Sequence, residues 1–226
     1  MASEPWVGVD LVAGFRNAGK TTLISALEET FWRNENTVFL QNEQGAASLT
    51  EISRYEGHAV VQLLGGCLCC LAAVQLEQAL MQAVDAFRPS RIVLELAETA
   101  GVEEVRGLFA RLGGAFRVEH ILYVLNARDF PAKWELSQRF LERQFRACPA
   151  VMLNRTEHGG PASGEAITAV IQDINPQCAV FEGLDDLPAY YRKSRVFRQI
   201  SFRTKDPGKG RYFRRPGIEE DRMTGQ

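Results

Sequence analysis

Apolar runs at residues 7–13, 37–41, 59–64, 91–96, 118–125, 149–153 and 178–181 recur along this chain, with room for a helix between most of them. Several are rich in Val, Ile and Leu without polar alternation, the pattern of strands buried on both faces. Residues 19–32, 72–87, 102–112, 131–146 and 162–173 carry helical patterns in the intervals. This β-α-β rhythm predicts a three-layer α/β fold, a mainly parallel central sheet flanked by helices on both sides. Ligands of such sheets sit at the carboxyl ends of the strands, so the loops leaving the strands are where chemistry is expected.

The pattern changes beyond Glu182. Residues 196–202 alternate like a strand with one wet face, and Asp206 to Gln226 is rich in Gly, Pro and charge, which predicts poor order. The expected division is therefore a domain at 1–182 and a short appendage at 183–226, with one strand and a basic, flexible tail. At 226 residues, 46% hydrophobic and 24% charged, the chain has the makeup of one substantial globular domain. No apolar run approaches the roughly 18 residues that span a bilayer, and Met1-Ala2-Ser3-Glu4 does not begin like a secretory signal. Five cysteines, three of them crowded together, do not suggest a disulfide framework. A reducing cytoplasm is the expected location, with no membrane partner.

The net charge of −2 hides an asymmetry. Between Arg192 and Arg215 ten Lys or Arg residues face one acid, Asp206, so this segment is +9 and the remainder −11. Such a cluster suits either an acidic partner or a solvated edge and tail. No nucleic-acid motif accompanies it, and no nucleic-acid partner is expected. Nothing in the sequence fixes an oligomeric state.

The most informative segment follows the first apolar run. Gly14-Phe15-Arg16-Asn17-Ala18-Gly19-Lys20-Thr21 has the spacing of a phosphate-binding loop between a strand and a helix that opens with Thr22. Its glycines permit a tight turn whose N–H groups converge on phosphate oxygens, and the helix N-terminus adds partial positive charge. Lys20 is expected to reach the outer phosphates, and the Thr21 hydroxyl to ligate Mg²⁺. A second segment, Gly65-Gly66-Cys67-Leu68-Cys69-Cys70, brings three thiols within four residues after a predicted strand. A turn can aim them at one soft cation, Zn²⁺ or Cu⁺, leaving a tetrahedral position open. Buried cysteines acting as small hydrophobes are the plainer alternative. Cys148 and Cys178 flank strands and read as core residues.

Over residues 7–182 the chain resembles the CobW family of P-loop GTPases, which includes zinc metallochaperones and cofactor-insertion proteins. The resemblance is carried by the Gly14–Thr22 loop, by Gln41-Asn42-Glu43-Gln44-Gly45, by Gly66-Cys67-Leu68-Cys69-Cys70, by Glu95 at a strand end and by Asn154-Arg155-Thr156-Glu157. It implies that Gly14, Asn17, Ala18, Gly19, Lys20, Thr21 and Thr22 hold the phosphates and Mg²⁺ of GTP or GDP. It also implies that Asn42, Glu43 and Gly45 lie in a switch loop, and that Cys67, Cys69 and Cys70 bind Zn²⁺ with Glu43 as a possible ligand. Glu95 would hold Mg²⁺ through water; with Lys20 and Thr21 it would form the catalytic set. Asn154, Arg155 and Glu157 would contact the base.

The chain departs from this family in three places. Glu98 stands where the family usually has a glycine whose N–H meets the γ-phosphate, and a carboxylate there repels a triphosphate. The base-reading Asn-Lys-x-Asp is replaced by Asn154-Arg155-Thr156-Glu157, whose acid is one methylene longer. The family's larger carboxy-terminal domain is expected to be shortened to residues 183–226. The resemblance implies a guanine-nucleotide-binding protein, a slow GTP hydrolase that couples nucleotide state to zinc delivery to a client metalloprotein. The alternative is a non-hydrolysing regulatory or scaffold protein that binds nucleotide or metal. A small-molecule kinase would also use the loop, but it leaves the cysteines and Asn154 without a role. The three histidines, His58, His120 and His158, read as surface or capping residues.

Overall fold

The computed structural model describes residues 6–41, 58–62, 71–156, 164–185, 187 and 189–191. Its strands are β1 (Val7–Ala13), β2 (Thr37–Gln41), β3 (Ala59–Gln62), β4 (Arg91–Glu95), β5 (Phe116–Asn126), β6 (Ala150–Asn154) and β7 (Ala179–Phe181). Its α-helices are α1 (Lys20–Leu27), α2 (Leu71–Phe87), α3 (Val102–Leu112), α4 (Phe130–Ala147) and α5 (Gly164–Ile174). Among the described residues the strands form one sheet in the order β3-β2-β4-β1-β5-β6-β7. Every pairing is parallel, so all seven strands end on the same edge.

The lack of alternation in the apolar runs is explained by burial on both sides. Every residue of β1, β2 and β4 is buried. Val7, Val9, Leu11 and Ala13 pack into one core with side chains of α2, α3, α4 and α5. Val12 turns to the other face, where it joins Phe39, Val93, Leu122 and Val124 beneath Leu23, Ile24 and Leu27 of α1. Each fully buried Val, Leu, Ile or Phe contributes about 1.5–3 kcal/mol of hydrophobic stabilisation, so the two cores dominate the fold.

The connection leaving β1 runs towards β2, and the one leaving β5 runs in the opposite direction towards β6. Neighbouring strands whose connections diverge in this way open a crevice at their carboxyl ends. The Gly14–Lys20 loop lies there.

Two sequence expectations need correction. The helix expected over 19–32 stops being α at Leu27 and continues as a π-helical turn, Glu28–Trp32. The turn carries Trp32 into the core, where its Nε1 donates to Asp10 Oδ2 at 3.0 Å. His120, expected at the surface, is 3% exposed. A register shift between Val9 and Asp10 sets it opposite Asp10 on β1, and the two side chains pair. The strand expected at 196–202 lies outside the described residues.

Candidate functional site

The loop after β1 is held in place by backbone geometry that its sequence allows. Gly14 has φ +139°, and a Cβ there would overlap the Val124 carbonyl oxygen of β5. Gly19 has φ +100° and caps α1, and a Cβ there would overlap the Asn154 side chain. Asn17 occupies the left-handed region at φ 61°, which asparagine tolerates better than most residues. The Phe15 ring packs near Phe140 of α4, with the Lys133 ammonium 4.6 Å above it. The loop is thus a preformed turn that approaches the neighbouring backbone too closely for larger residues.

Lys20 opens α1 and is 2% exposed. Its Nζ donates to the carbonyls of Gly14 and Phe15, each at 3.0 Å, so the ammonium is folded inside the loop's own ring. A buried cation anchored at the start of a helix, where the helix end adds partial positive charge, attracts anions. Next to it, Thr21 Oγ1 donates to Glu95 Oε1 at 2.9 Å. Glu95 ends β4, is fully buried, and accepts at its second oxygen from Gln41 Nε2 at 3.3 Å. A hydroxyl and a carboxylate side by side are hard oxygen donors of the kind Mg²⁺ takes. The described residues therefore fit both a phosphate chain and Mg²⁺.

Asn154 comes from the end of β6. Its Nδ2 donates to the Ala18 carbonyl at 2.9 Å and lies against Gly19. The predicted base-reading residue thus also braces the phosphate loop. Arg155 follows at φ 60° and is exposed, and Thr22 faces outward from the first turn of α1. Glu98, in the loop after β4, accepts from the Arg16 backbone N–H at 3.1 Å. The structure therefore brings Gly14, Asn17, Ala18, Gly19, Lys20, Thr21, Glu95 and Asn154 to one place, and adds Glu98 to them. Asn42, Glu43, Gly45, Cys67, Cys69, Cys70, Glu157 and His158 lie outside the described residues. The last described residues before the switch and cysteine segments, Gln41 and Gln62, are paired at the same sheet edge as the loop.

Sequence reading did not anticipate a second group of charges. Asp10, 0% exposed, accepts from Arg91 at 2.5 Å and pairs with His120 Nδ1 at 2.7 Å. Arg91 also binds Glu35 at 2.7 Å and Glu119 at 2.8 Å. Burial by itself would raise the Asp10 pKa; the Arg91 guanidinium and His120 outweigh it and hold the carboxyl below its ordinary range. Burial likewise disfavours charge on Arg91, but Asp10, Glu35 and Glu119 raise its pKa still further. Asp10, Glu119 and His120 are close enough to share a cation, yet the guanidinium already bridges both carboxylates. The group reads as an ionic bolt between β1, β4 and β5. The one signal in the sequence was a lone Asp within Val7–Ala13. His58, also expected at the surface, is half-buried and 3.1 Å from Glu28 Oε1. Cys148 and Cys178 are buried, as expected, and burial raises both thiol pKa values, that of Cys178 to about 11.

Comparison with known proteins agrees with this geometry. The family model described as CobW/HypB/UreG, nucleotide-binding domain, matches residues 8–182. The hydrogenase maturation factor HypB from Archaeoglobus fulgidus is similar in structure, with TM-score 0.62 and 16% identity over 87% of this chain and 91% of its own. HypB from Helicobacter pylori, solved in complex with nickel, gives TM-score 0.61 and 12% identity over 90% of this chain and 92% of its own. The Zn(II)-bound YjiA GTPase from E. coli gives TM-score 0.58 and 18% identity over 80% of this chain, which spans 58% of the YjiA chain. No curated protein sequence matches significantly. At these identities the structural likeness shows the fold. Among the described residues no helix is long and apolar enough to cross a membrane.

Proposed function

The chain belongs to the CobW/HypB/UreG nucleotide-binding domain family, and on that premise we propose that it binds guanine nucleotide and uses nucleotide state to control the binding or delivery of Zn²⁺. The observation that carries this reading is the Thr21 hydroxyl 2.9 Å from Glu95, beside the Lys20 ammonium folded into its loop. A phosphate chain entering the loop would take the N–H groups around Gly14–Gly19 and the field of the α1 N-terminus. Lys20 would stabilise negative charge on its outer oxygens. Mg²⁺, when bound, would supply further positive charge there, with Thr21 as a direct ligand and Glu95 behind it through water. Asn154, whose Nδ2 donates to the Ala18 carbonyl, would contact the base from the edge of the same loop. Arg155 would lay its planar guanidinium over the same base. Glu157 would read the guanine edge.

Hydrolysis would be attack by water on the γ-phosphorus in line with the β–γ bridging oxygen, which leaves with the diphosphate. Glu95 is engaged by both Thr21 and Gln41, which suits an orienting role better than that of a general base and favours slow turnover. The Gln41 contact also suggests how the site could reach the metal-binding segment. It ties the catalytic edge of β4 to the last residue of β2, from which the chain runs on to Asn42 and Glu43. The proposed zinc ligands, Cys67, Cys69, Cys70 and Glu43, belong to segments that leave β2 and β3 at this same edge. Residues 1–182 would form this nucleotide domain, with 183–226 as its appendage. A client metalloprotein would receive the ion, in the cytoplasm.

A second reading, a nucleotide-binding regulator without turnover, is favoured by one observation, the Glu98 carboxylate seated on the Arg16 N–H. Zn²⁺ titration of the full chain with GDP and with a non-hydrolysable GTP analogue, for wild type and Cys67→Ser/Cys69→Ser, tests the coupling. The proposal expects the zinc affinity of wild type to differ between the two nucleotides and the double variant to lose it. Equal affinities would remove the coupling, and an intact double variant would remove the cysteines. With GTP itself, nucleotide binding without phosphate release would select the second reading.

A further inference from the structure

Glu98 is the one carboxylate that sequence reading placed in the family's glycine position, and the structure seats it on the phosphate loop. The turn that carries it is fixed at both sides. Leu96 N–H donates to the Val12 carbonyl at 2.9 Å, and Ala100 N–H donates to the Ala97 carbonyl at 2.9 Å. Between those anchors the half-buried Glu98 reaches back so that Oε2 accepts from the Arg16 N–H at 3.1 Å. An N–H of this loop is a donor that a phosphate oxygen would otherwise use. A charged acceptor forms the stronger type of hydrogen bond, so the carboxylate is an effective competitor for it.

The location decides which phosphate it competes with. Three residues earlier on the same stretch, Glu95 meets Thr21, the residue that would hold the ion shared by the outer phosphates. Glu98, three residues further on, meets the Arg16 N–H, and the carbonyl of that same peptide unit, that of Phe15, accepts from the Lys20 ammonium. The inner phosphates would meet the N–H groups at the α1 end of the loop, around Gly19, whereas the Glu98 contact is at Arg16.

We infer that Glu98 acts as an internal anion standing in for the terminal phosphate, making the site selective for nucleoside diphosphate over triphosphate. This rests on the nucleotide-binding reading above and adds the choice between phosphate states. A diphosphate leaves Glu98 in its seat. A triphosphate must displace it and then lie beside its negative charge. Unit charges a few ångströms apart near a protein surface interact strongly enough to change affinity by about tenfold or more.

The test is calorimetric titration of the full chain with GDP and with a non-hydrolysable GTP analogue, both with Mg²⁺, for wild type, Glu98→Gln and Glu98→Gly. Glu98→Gln keeps the length and the acceptor that holds Arg16 N–H while removing the charge, so it separates repulsion from loop support. The expected result is tighter binding of GDP than of the analogue in wild type. In both variants the analogue should gain about tenfold, while GDP changes by less than about threefold. Melting curves of the three proteins report folding. A diphosphate-to-triphosphate ratio that is the same in all three would overturn the inference while leaving nucleotide binding intact. Absence of binding by either nucleotide in every protein would overturn the nucleotide reading, and this inference with it.

Discussion

Replacing Asn154 by Ala separates two jobs that one side chain performs. In the structure its Nδ2 donates to the Ala18 carbonyl at 2.9 Å and packs against Gly19, so the end of β6 holds the phosphate loop directly. Truncation removes that bond and leaves a carbonyl of a buried residue, Ala18 at 2% exposure, without this donor. A lost hydrogen bond of this kind costs about 1 kcal/mol, which lowers the melting temperature by about 2–4 °C in a domain of this size. The same loss of bracing should weaken any ligand held by the loop, by about fivefold if the full cost appears in binding. Inorganic pyrophosphate, which has no base, is the informative probe, titrated as a competitor of a fluorescent GDP. Asn154→Ala should weaken pyrophosphate and GDP alike through the loop, with a further loss for GDP if the amide also meets the base. Unchanged melting together with unchanged pyrophosphate affinity would refute the bracing role.

The ionic bolt at Asp10 gives a pH prediction. Because its folded pKa lies below the ordinary carboxylate value of 3.8, its contribution is complete above that value and is lost as pH falls through the lower folded pKa. Asp10→Asn should therefore cost about 3 kcal/mol near neutrality and flatten the fall in stability below about pH 4, as read from urea midpoints across pH. Parallel curves for the two proteins would contradict the assignment. Gly14→Ala, at φ +139° with the Val124 carbonyl in the way, should destabilise by about 1–3 kcal/mol and abolish loop binding of pyrophosphate. A variant with wild-type melting and wild-type affinity would show that this close approach is dispensable.

Much of the fold was readable because burial on both faces erases polar alternation. β1, β2 and β4 are buried at every position and lack polar alternation for that physical reason. The phosphate loop was readable because glycine spacing and a Lys-Thr pair encode backbone shape locally. What could not be read depended on neighbours far apart in sequence. Glu98 meets Arg16 across 82 positions, and Asn154 meets Ala18 across 136. The end of α1 turns to π geometry because Trp32 reaches Asp10 on β1, a partner its own segment does not reveal. His120 sits in a stretch whose Arg117 and Glu119 look solvated, yet Arg91 draws Glu119 inward and Asp10 engages the imidazole.

Lys20 and its loop would form an anion cradle for a guanine nucleotide. Calorimetric titration of GDP and ADP into wild type and Lys20→Ala, each in Mg²⁺ buffer, tests it most directly. The expected result is saturable GDP binding by wild type, weaker ADP binding, and loss of both in the variant with its melting transition still cooperative. Binding that is absent in wild type, or that survives unchanged in a folded Lys20→Ala protein, would contradict it.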